Sequence, residues 1–108
     1  MIYLASPYSH KDPAVMEKRF KEACVIAASL MRKGYNVFSP IAHSHPIAQY
    51  QLPKTWEFWE QYDRFFIQMC HRVIVCDNME GWQDSRGVGA EIAIANELGK
   101  EVIYYSEF

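Results

Sequence analysis

Short apolar runs alternate along this chain with longer segments in which apolar residues recur at helical spacing. The short runs are typical of buried strands. The third run shows no alternation of polar and apolar positions, which fits a strand that is buried on both faces. The predicted strands are residues 2–5, 35–38, 73–76 and 101–105.

The longer segments predict three helices. Asp12-Pro13 is typical of a helix start, with Asp as the N-cap and Pro at the first helical position, and Gly34 is typical of a helix end. Apolar residues at helical spacing predict a second helix over residues 54–70. The third helix is expected to begin near residue 85 or 87 and to run to residue 98.

Strands that alternate with helices indicate a parallel sheet with right-handed crossovers. The 108 residues have room for one domain. The prediction is therefore a single α/β domain over residues 1–108, with a small doubly wound, Rossmann- or flavodoxin-like parallel sheet of roughly four to five strands flanked by helices. Residues 41–53 contain prolines and histidines without a clean period, and they are predicted to form a loop.

Composition narrows the classes of partner. Half of the residues are hydrophobic, which predicts a folded domain, and the net charge of −2 gives no general attraction to nucleic-acid polymers or anionic membranes. The N-terminus is too short for a signal peptide, and no apolar stretch approaches the length of about 18 residues that a membrane span needs. Cys24, Cys70 and Cys76 show no Cys-x-x-Cys spacing, so we expect free thiols and a cytoplasmic protein.

Residues 84–91 form the most informative stretch for chemistry. Gly87 and Gly89 would let the backbone approach a ligand closely, and free amides at a helix N-terminus favour an anion. Glu91 is an ionisable residue followed by an apolar run. One interpretation is a glutamate in the first helical turn, stabilised by the helix dipole; the other is a carboxylate that carries chemistry.

Four motifs follow one another in order and with compatible spacings over nearly the whole chain. They are Ile2-Tyr3-Leu4-Ala5-Ser6-Pro7, then Asp63 eight residues before His71-Arg72-Val73-Ile74-Val75, then Ser85-x-Gly87-x-Gly89-x-Glu91, then Gly99-Lys100-x-Val102. This order resembles the nucleoside 2-deoxyribosyltransferase superfamily. The heptapeptide at residues 85–91 is most similar to the branch that hydrolyses 2′-deoxynucleoside 5′-monophosphates.

The resemblance implies a role for each of the matching residues. Glu91 would attack the anomeric carbon and form a covalent glycosyl ester, Tyr3 at the end of the first strand would orient this carboxylate, and Asp63 would contact the base and help to protonate it. Ser85 stands where transferases of free nucleosides usually carry Asp, and its hydroxyl and the amides of the glycine stretch would bind a 5′-phosphate. These residue types suit an oxocarbenium-like transition state, and neither a metal nor another cofactor is required.

The chain also departs from the pattern of that branch. The branch carries arginine in its first loop as a phosphate ligand, whereas this chain has Ser9-His10-Lys11, and lysine lacks the bidentate fork of arginine. Arg19 lies further along the first helix and is expected to be a solvated charge. The family completes its site with a neighbouring subunit, so the resemblance implies a homo-oligomer, at least a dimer.

Trp56, Trp59 and Asp63 are spaced to share one face of the second helix. The functional interpretation is an aromatic wall that includes Trp59 beside the carboxylate that contacts the base. The alternative is a packing stripe in the core or at a dimer interface, which such spacing favours.

Five further residues are candidates for substrate contacts. Ser6 and Pro7 follow the first strand at the edge where ligands bind. His43 and His45 lack a third metal ligand at a recognisable spacing, so we interpret them as substrate-contacting or merely solvated loop residues rather than a metal site. Asp77 ends the third predicted strand, where it would meet a sugar hydroxyl or cap its own loop.

The sequence thus predicts an enzyme that hydrolyses or transfers the N-glycosidic bond of a (2′-deoxy)nucleoside 5′-monophosphate or nucleoside. The expected partner is this small-molecule substrate. Two alternatives stay open: a non-catalytic nucleotide-binding sensor or regulatory module, and a glycosidase of a modified nucleotide or a nicotinamide dinucleotide.

Overall fold

Four parallel strands form one sheet in the order β2-β1-β3-β4. The computed structural model describes residues 1–108. The strands are β1 (Ile2–Ala5), β2 (Val37–Phe38), β3 (Arg72–Val75) and β4 (Glu101–Tyr104). The two central strands, β1 and β3, are paired along their whole length. This sheet confirms the predicted small doubly wound α/β fold.

Four helices connect and flank the strands: α1 (Pro13–Arg32), α2 (Pro40–Ala48), α3 (Trp56–Met69) and α4 (Arg86–Glu97). The predicted start of α1 is confirmed, because the Asp12 side chain accepts a hydrogen bond from the Ala14 amide at 2.9 Å. The predicted stop is also confirmed, since Gly34 follows this helix with a left-handed φ of +94°. None of the helices combines the length and the apolar character that crossing a membrane requires.

The prediction of a loop at residues 41–53 was wrong for its first part, which is α2. The Ser39 hydroxyl caps this helix by accepting from the Ala42 amide at 3.1 Å, and Pro40 occupies the first helical position, where no amide donor is needed. Ser39-Pro40 ends a strand and starts a helix at once. The internal Pro46 argued against a helix in the sequence analysis, because proline is disfavoured inside helices.

Alternate residues of the central strands pack against opposite helix layers, since successive side chains of a strand point to opposite faces. One layer, here called the α1 core, consists of Ile2, Leu4, Ile26, Ala27, Leu30, Ile74, Cys76 and Met79. The other, here called the α3/α4 core, consists of Tyr3, Ala5, Ile67, Cys70, Val73, Val75, Val88, Ile94 and Ala95. Tyr3 therefore faces α3 and α4, the two helices that carry the predicted carboxylates.

Candidate active site

Tyr3 and Glu91, which are 88 positions apart in the chain, meet in a buried hydrogen bond. The Tyr3 hydroxyl donates to Oε2 of Glu91. Tyr3 is 0% exposed and Glu91 is 5% exposed, so water competes little for this contact. Tyr3 lies within β1, where it pairs with Val73, and not at the end of the strand as the sequence suggested. The pairing of the two residues was predicted only through the family resemblance.

The carboxylate of Glu91 has no role at the positive end of a helix dipole. Since α4 begins at Arg86, Glu91 lies in its second turn, and the first turn contains no acidic residue. The interpretation of a first-turn glutamate was therefore wrong. Glu91 lies on the buried side of α4 with Val88, Ile94 and Ala95. A carboxylate in such surroundings costs stability unless it is hydrogen-bonded, and Tyr3 supplies that bond.

Asp63 on α3 is the second carboxylate near the Tyr3 hydroxyl. Burial raises the pKa of Asp63 to about 6, while the hydrogen-bonding influence of Tyr3 acts in the opposite direction. Burial raises the pKa of Glu91 well above its usual value, the negative charge of Asp63 raises it further, and the bond from Tyr3 opposes both. The pKa of Tyr3 is also raised, first by burial and then by the two carboxylates.

Two neighbouring carboxylates, one buried and one partly buried, share protons as a pair, because ionising both places like charges side by side in a medium of low dielectric constant. The pair formed by Asp63 and Glu91 is therefore expected to hold a proton at a higher pH than either residue would hold one in water. Tyr3 carries one hydroxyl proton, and the geometry directs it to Glu91. One carboxylate can thus serve as an anion while its neighbour holds a proton.

A cavity of about 180 Å³ lies between α2 and α3, with Asp63 in its wall. We call it the aromatic cavity, because most of its lining is aromatic and apolar: Phe38, Pro40, His43, Ser44, Ile47, Leu52, Phe58, Trp59, Tyr62 and Phe66. A larger groove of about 500 Å³ runs along the outer side of α1, but it contains none of the three residues Tyr3, Asp63 and Glu91. The aromatic cavity is the better candidate for a ligand, since apolar walls around a single carboxylate suit a flat polar molecule.

The predicted stripe on α3 divides between two roles. Trp56 packs against the α3/α4 core, in agreement with the packing interpretation. Trp59 and Asp63 line the aromatic cavity, in agreement with the functional one. The indole of Trp59 is held in place, because its Nε1 donates to the carbonyl oxygen of Pro53 at 2.9 Å.

The two predicted histidines of α2 face different neighbours. His43 lines the aromatic cavity and lies against Phe38, with 5.6 Å between ring centroids. His45 instead stacks on Phe20 of α1, with 4.4 Å between ring centroids, and does not line this cavity. Two positions along a helix turn a side chain by about 200°, which explains the separation. No group of three or more His, Cys, Asp and Glu residues is arranged to hold a metal ion.

His45 belongs to a cluster that sequence reasoning missed. Its Nδ1 lies 2.6 Å from the Tyr8 hydroxyl, and its Nε2 lies 3.1 Å from Oε2 of Glu17. Burial and the charge of Glu17 raise the pKa of Tyr8. The cluster joins α2 to α1 and to the segment after β1. No spacing rule links residues 8, 17 and 45, so the sequence carried no signal for it.

The N-terminus of α4 presents Ser85, Gly87 and Gly89 near the carboxyl ends of the strands. Ser85 is the N-cap, and its Oγ accepts from the Val88 amide at 3.2 Å, which leaves its hydroxyl proton free to donate. A Cβ at Gly87 would meet only Ser85 Oγ at 3.8 Å, and one at Gly89 would meet nothing within 4 Å. The packing of the chain therefore does not require these glycines, and the backbone at both positions is open to a ligand.

Ser6 and Pro7 are buried where the chain leaves β1. The Ser6 hydroxyl has no hydrogen-bond partner within the protein. Buried polar groups are nearly always paired, so an orphaned hydroxyl in this position marks a place where a ligand atom would be stabilised.

Asp77 does not present a free carboxylate to a ligand. Its Oδ1 accepts from the Ser106 amide at 2.9 Å and its Oδ2 from the Ser106 hydroxyl at 2.5 Å. The interpretation that Asp77 caps its own loop was wrong, since its carboxylate caps the C-terminal segment; a contact with a sugar hydroxyl stays a prediction. The signal was absent from the local sequence, because the partner lies 29 positions away.

Arg19 is not the solvated charge that the sequence predicted. Its guanidinium donates to the carbonyl oxygen of Ser9 at 3.0 Å and makes longer contacts of 3.5 Å with those of Tyr8 and Glu80. An arginine on the polar side of a helix carries no signal for such backbone contacts, which the tertiary fold alone creates.

Comparison with known proteins gives the chain a family but no activity. No curated protein matches the chain. A family described as a domain of unknown function, DUF1937, matches residues 1–107, and this protein therefore belongs to that family.

Proposed function

We propose that this protein cleaves the N-glycosidic bond of a (2′-deoxy)nucleoside 5′-monophosphate or nucleoside, and passes the sugar to water or to a second base. The observation that carries the proposal is the buried hydrogen bond from Tyr3 to Glu91 beside the carboxyl of Asp63. Neither carboxylate is needed for the stability of an apolar core, because burying a carboxylate is costly. A catalytic requirement accounts for both.

The proposed reaction proceeds in two displacements. Ionised Glu91 attacks the anomeric carbon, the bond from that carbon to the base nitrogen breaks, and the base leaves with the bonding electrons. Asp63 in its protonated form gives a proton to the departing base. A water molecule or a second base then attacks the same carbon, Asp63 accepts the proton, and the ester to Glu91 breaks. Tyr3 holds the carboxylate through its hydroxyl and lowers the cost of its ionised form.

The aromatic cavity supports a purine or pyrimidine as the leaving group. Its walls bring aromatic faces and one carboxyl together, which suits a flat heterocycle that carries hydrogen-bond donors. Ser85 and the open backbone at Gly87 and Gly89 support binding of a 5′-phosphate, because helix N-termini and hydroxyls stabilise anions. The orphaned hydroxyl of Ser6 supports a further polar contact to the sugar.

An exposed apolar stripe on α3 supports the proposal of a homo-oligomer. Tyr62, Phe65 and Met69 are 46%, 55% and 62% exposed, and they follow one another at helical spacing. Tyr62 also lines the aromatic cavity. A second copy packed on this stripe would cover apolar surface and close the cavity. Sedimentation should give a dimer or larger, and an active protein that stays monomeric at all concentrations would contradict this part of the proposal.

The test is release of free base, followed by chromatography. Ribo- and deoxyribonucleosides and their 5′-monophosphates are incubated with the protein, with and without an acceptor base, beside Glu91→Gln. Release that depends on Glu91 supports the proposed reaction. If Ser85→Asp no longer releases base from monophosphates but still releases it from nucleosides, the phosphate site is supported. Tight binding without release would replace the proposal by a nucleotide sensor. Neither binding nor release would mean that the substrate is a modified nucleotide or a nicotinamide dinucleotide, or that the family resemblance does not extend to function.

A further inference from the structure

The connections that follow the two central strands, β1 and β3, lead to helices on opposite faces of the sheet. After β1 the chain passes through residues 6–11, here called the first loop, to α1 on one face. After β3 it passes through residues 77–85, here called the third loop, to α4 on the other face. Because β1 and β3 are neighbours, the two loops diverge at the topological switch point, where doubly wound folds bind their ligands.

The first loop is not held by hydrogen bonds between backbone groups. None of residues 6–11 donates or accepts such a bond. The side chain of Arg19 supplies bonds to the loop backbone instead, at 3.0 Å to the carbonyl oxygen of Ser9 and at 3.5 Å to that of Tyr8. A loop without backbone hydrogen bonds is expected to be mobile unless side chains restrain it. Arg19 is therefore well placed to set the conformation of the first loop.

The same guanidinium also touches the third loop. Nη2 of Arg19 lies 3.5 Å from the carbonyl oxygen of Glu80, and a Cβ built on Gly81 would come within 2.8 Å of this nitrogen. Gly81 has a φ of +82°, which favours glycine, and a Cβ there would force the guanidinium of Arg19 to shift away from the loop. Arg19 has no carboxylate within ion-pair distance, and its donors are therefore directed to backbone carbonyls.

We propose that Arg19 is a positioning residue that clips the first loop to the third loop across the switch point. A planar guanidinium suits this task, because its donors diverge and reach several carbonyls at once, whereas a lysine ammonium acts from a single point. The consequence for ligand binding rests on the proposed function: the clip holds Ser6 and the start of α4 in one arrangement before the substrate arrives. It does not touch the reacting atoms.

The first test measures backbone order by ¹⁵N relaxation in the protein and in Arg19→Met. Wild-type order parameters in both loops should be about 0.8, and those of the variant should fall below about 0.6 in the first loop and fall less at Glu80 and Gly81, because the rest of the third loop keeps its own backbone hydrogen bonds. The amides of α3 and α4 should not change. Lys18→Met, which removes an exposed charge one position away on α1, should leave both loops as they are. Mobile loops in the wild-type protein, or a change in one loop only, would overturn the proposal.

The second test uses a matched glycine. Gly34 and Gly81 both have left-handed φ values, +94° and +82°, but a Cβ at Gly34 would meet nothing within 4 Å. Gly81→Ala should lower the Tm by about 5 °C more than Gly34→Ala does. In the Arg19→Met background this excess should disappear, because the obstructing guanidinium is gone. Equal losses for the two alanines in the wild-type background would contradict the clip.

The third test separates positioning from mere folding. Arg19→Met should raise the KM for a nucleoside 5′-monophosphate about tenfold and keep kcat within about threefold, because ordering of the loops must then accompany binding. Arg19→Lys should recover only part of this loss. A fall in kcat with unchanged KM would indicate a reduced folded fraction and overturn the positioning role. If the wild-type protein releases no base, the proposed function fails, while relaxation and Tm still decide on the clip.

Discussion

The two faces of the sheet differ in what they bury. The α1 core is built from aliphatic side chains, one thiol and one methionine, and no carboxylate lies in it. The α3/α4 core is of similar size, yet it holds the phenol of Tyr3 and is bordered by the carboxyls of Asp63 and Glu91. Both faces come from the same strands, whose alternate residues point in opposite directions. In each central strand, one set of alternate residues packs in the α1 core and the other set faces the candidate site.

Buried carboxylates lower the free energy of unfolding, because ionisation is costly in an apolar environment. The α1 core contains no such group, so substitutions there are expected to act on folding alone. Substitutions of the carboxylates should act on chemistry and leave stability unchanged or raise it. The four predictions that follow challenge this division, beginning with the largest effect.

Glu91→Gln should lower kcat for base release by about 10³-fold or more, because an amide cannot form the glycosyl ester. The free energy of unfolding should not fall, since Tyr3 can donate to the amide oxygen as it does to the carboxylate. Single-turnover kinetics and urea unfolding measure the two quantities. Glu97→Gln, an exposed change on the same helix, should leave both close to wild type, and a similar loss of activity there would end the assignment.

Leu4→Ala in the α1 core should lower the free energy of unfolding by about 3 kcal/mol, because it leaves a cavity in a fully buried layer. The kcat of the folded fraction should stay within about threefold of wild type. Urea unfolding and active-site titration provide the measurements. A large drop in kcat per folded molecule would show that the two faces of the sheet are coupled and do not serve stability and chemistry separately.

Asp63→Asn should change how stability depends on pH. The pKa of Asp63 is raised from 3.8 to about 6 by burial, so the folded state holds a proton that the unfolded state has lost. Asp63 should therefore make the wild-type free energy of unfolding fall as the pH rises from about 4 to about 6, with a contribution of at most about 3 kcal/mol. The variant should show a smaller decline, because only Glu91 still holds a raised pKa, and it should be the more stable protein at pH 7.5.

Urea unfolding at a series of pH values checks this expectation. Glu57→Gln, which removes an exposed carboxylate on the same helix, should keep the wild-type pH dependence. A wild-type protein whose stability rises between pH 4 and 6 would contradict the raised pKa of Asp63.

Tyr3→Phe should have the smallest effect, a loss of about tenfold in kcat with a shift in the pH–rate profile. The bond from Tyr3 lowers the pKa of Glu91, so its removal should raise that pKa and move the acidic limb of the profile to higher pH. Tyr35→Phe, remote from the carboxylates, serves as the control. An unshifted limb would mean that Tyr3 packs beside Glu91 without orienting it.

Local signals in the sequence were sufficient for most of the secondary structure. Asp12 and Gly34 mark the ends of α1 through capping chemistry that depends on a few neighbouring residues. Apolar runs identified all four strands to within one or two residues. The failure at α2 has the same local origin, since Ser39-Pro40 fits both a strand end and a helix start, and Pro46 argues against a helix.

The candidate site was predictable only where a motif named its residues. The glycine stretch pointed to Glu91, the resemblance added Tyr3 and gave Asp63 its role, and the structure brings the three residues together. The neighbours of His45, Asp77 and Arg19 could not be foreseen, because each is bound to residues distant in the chain or to backbone carbonyls.

The sequence by itself determined the order of strands and helices and the alternation that gives the sheet two buried faces, because these depend on local periodicity and capping. The tertiary structure alone decided that Glu91 contacts Tyr3 and does not lie at the N-terminus of its helix. It also decided that His43 and His45 contact different neighbours and that Arg19 contacts two loops. Such contacts depend on which faces of separate elements meet in space. That choice is made by the packing of the whole domain, and no window of neighbouring residues contains it.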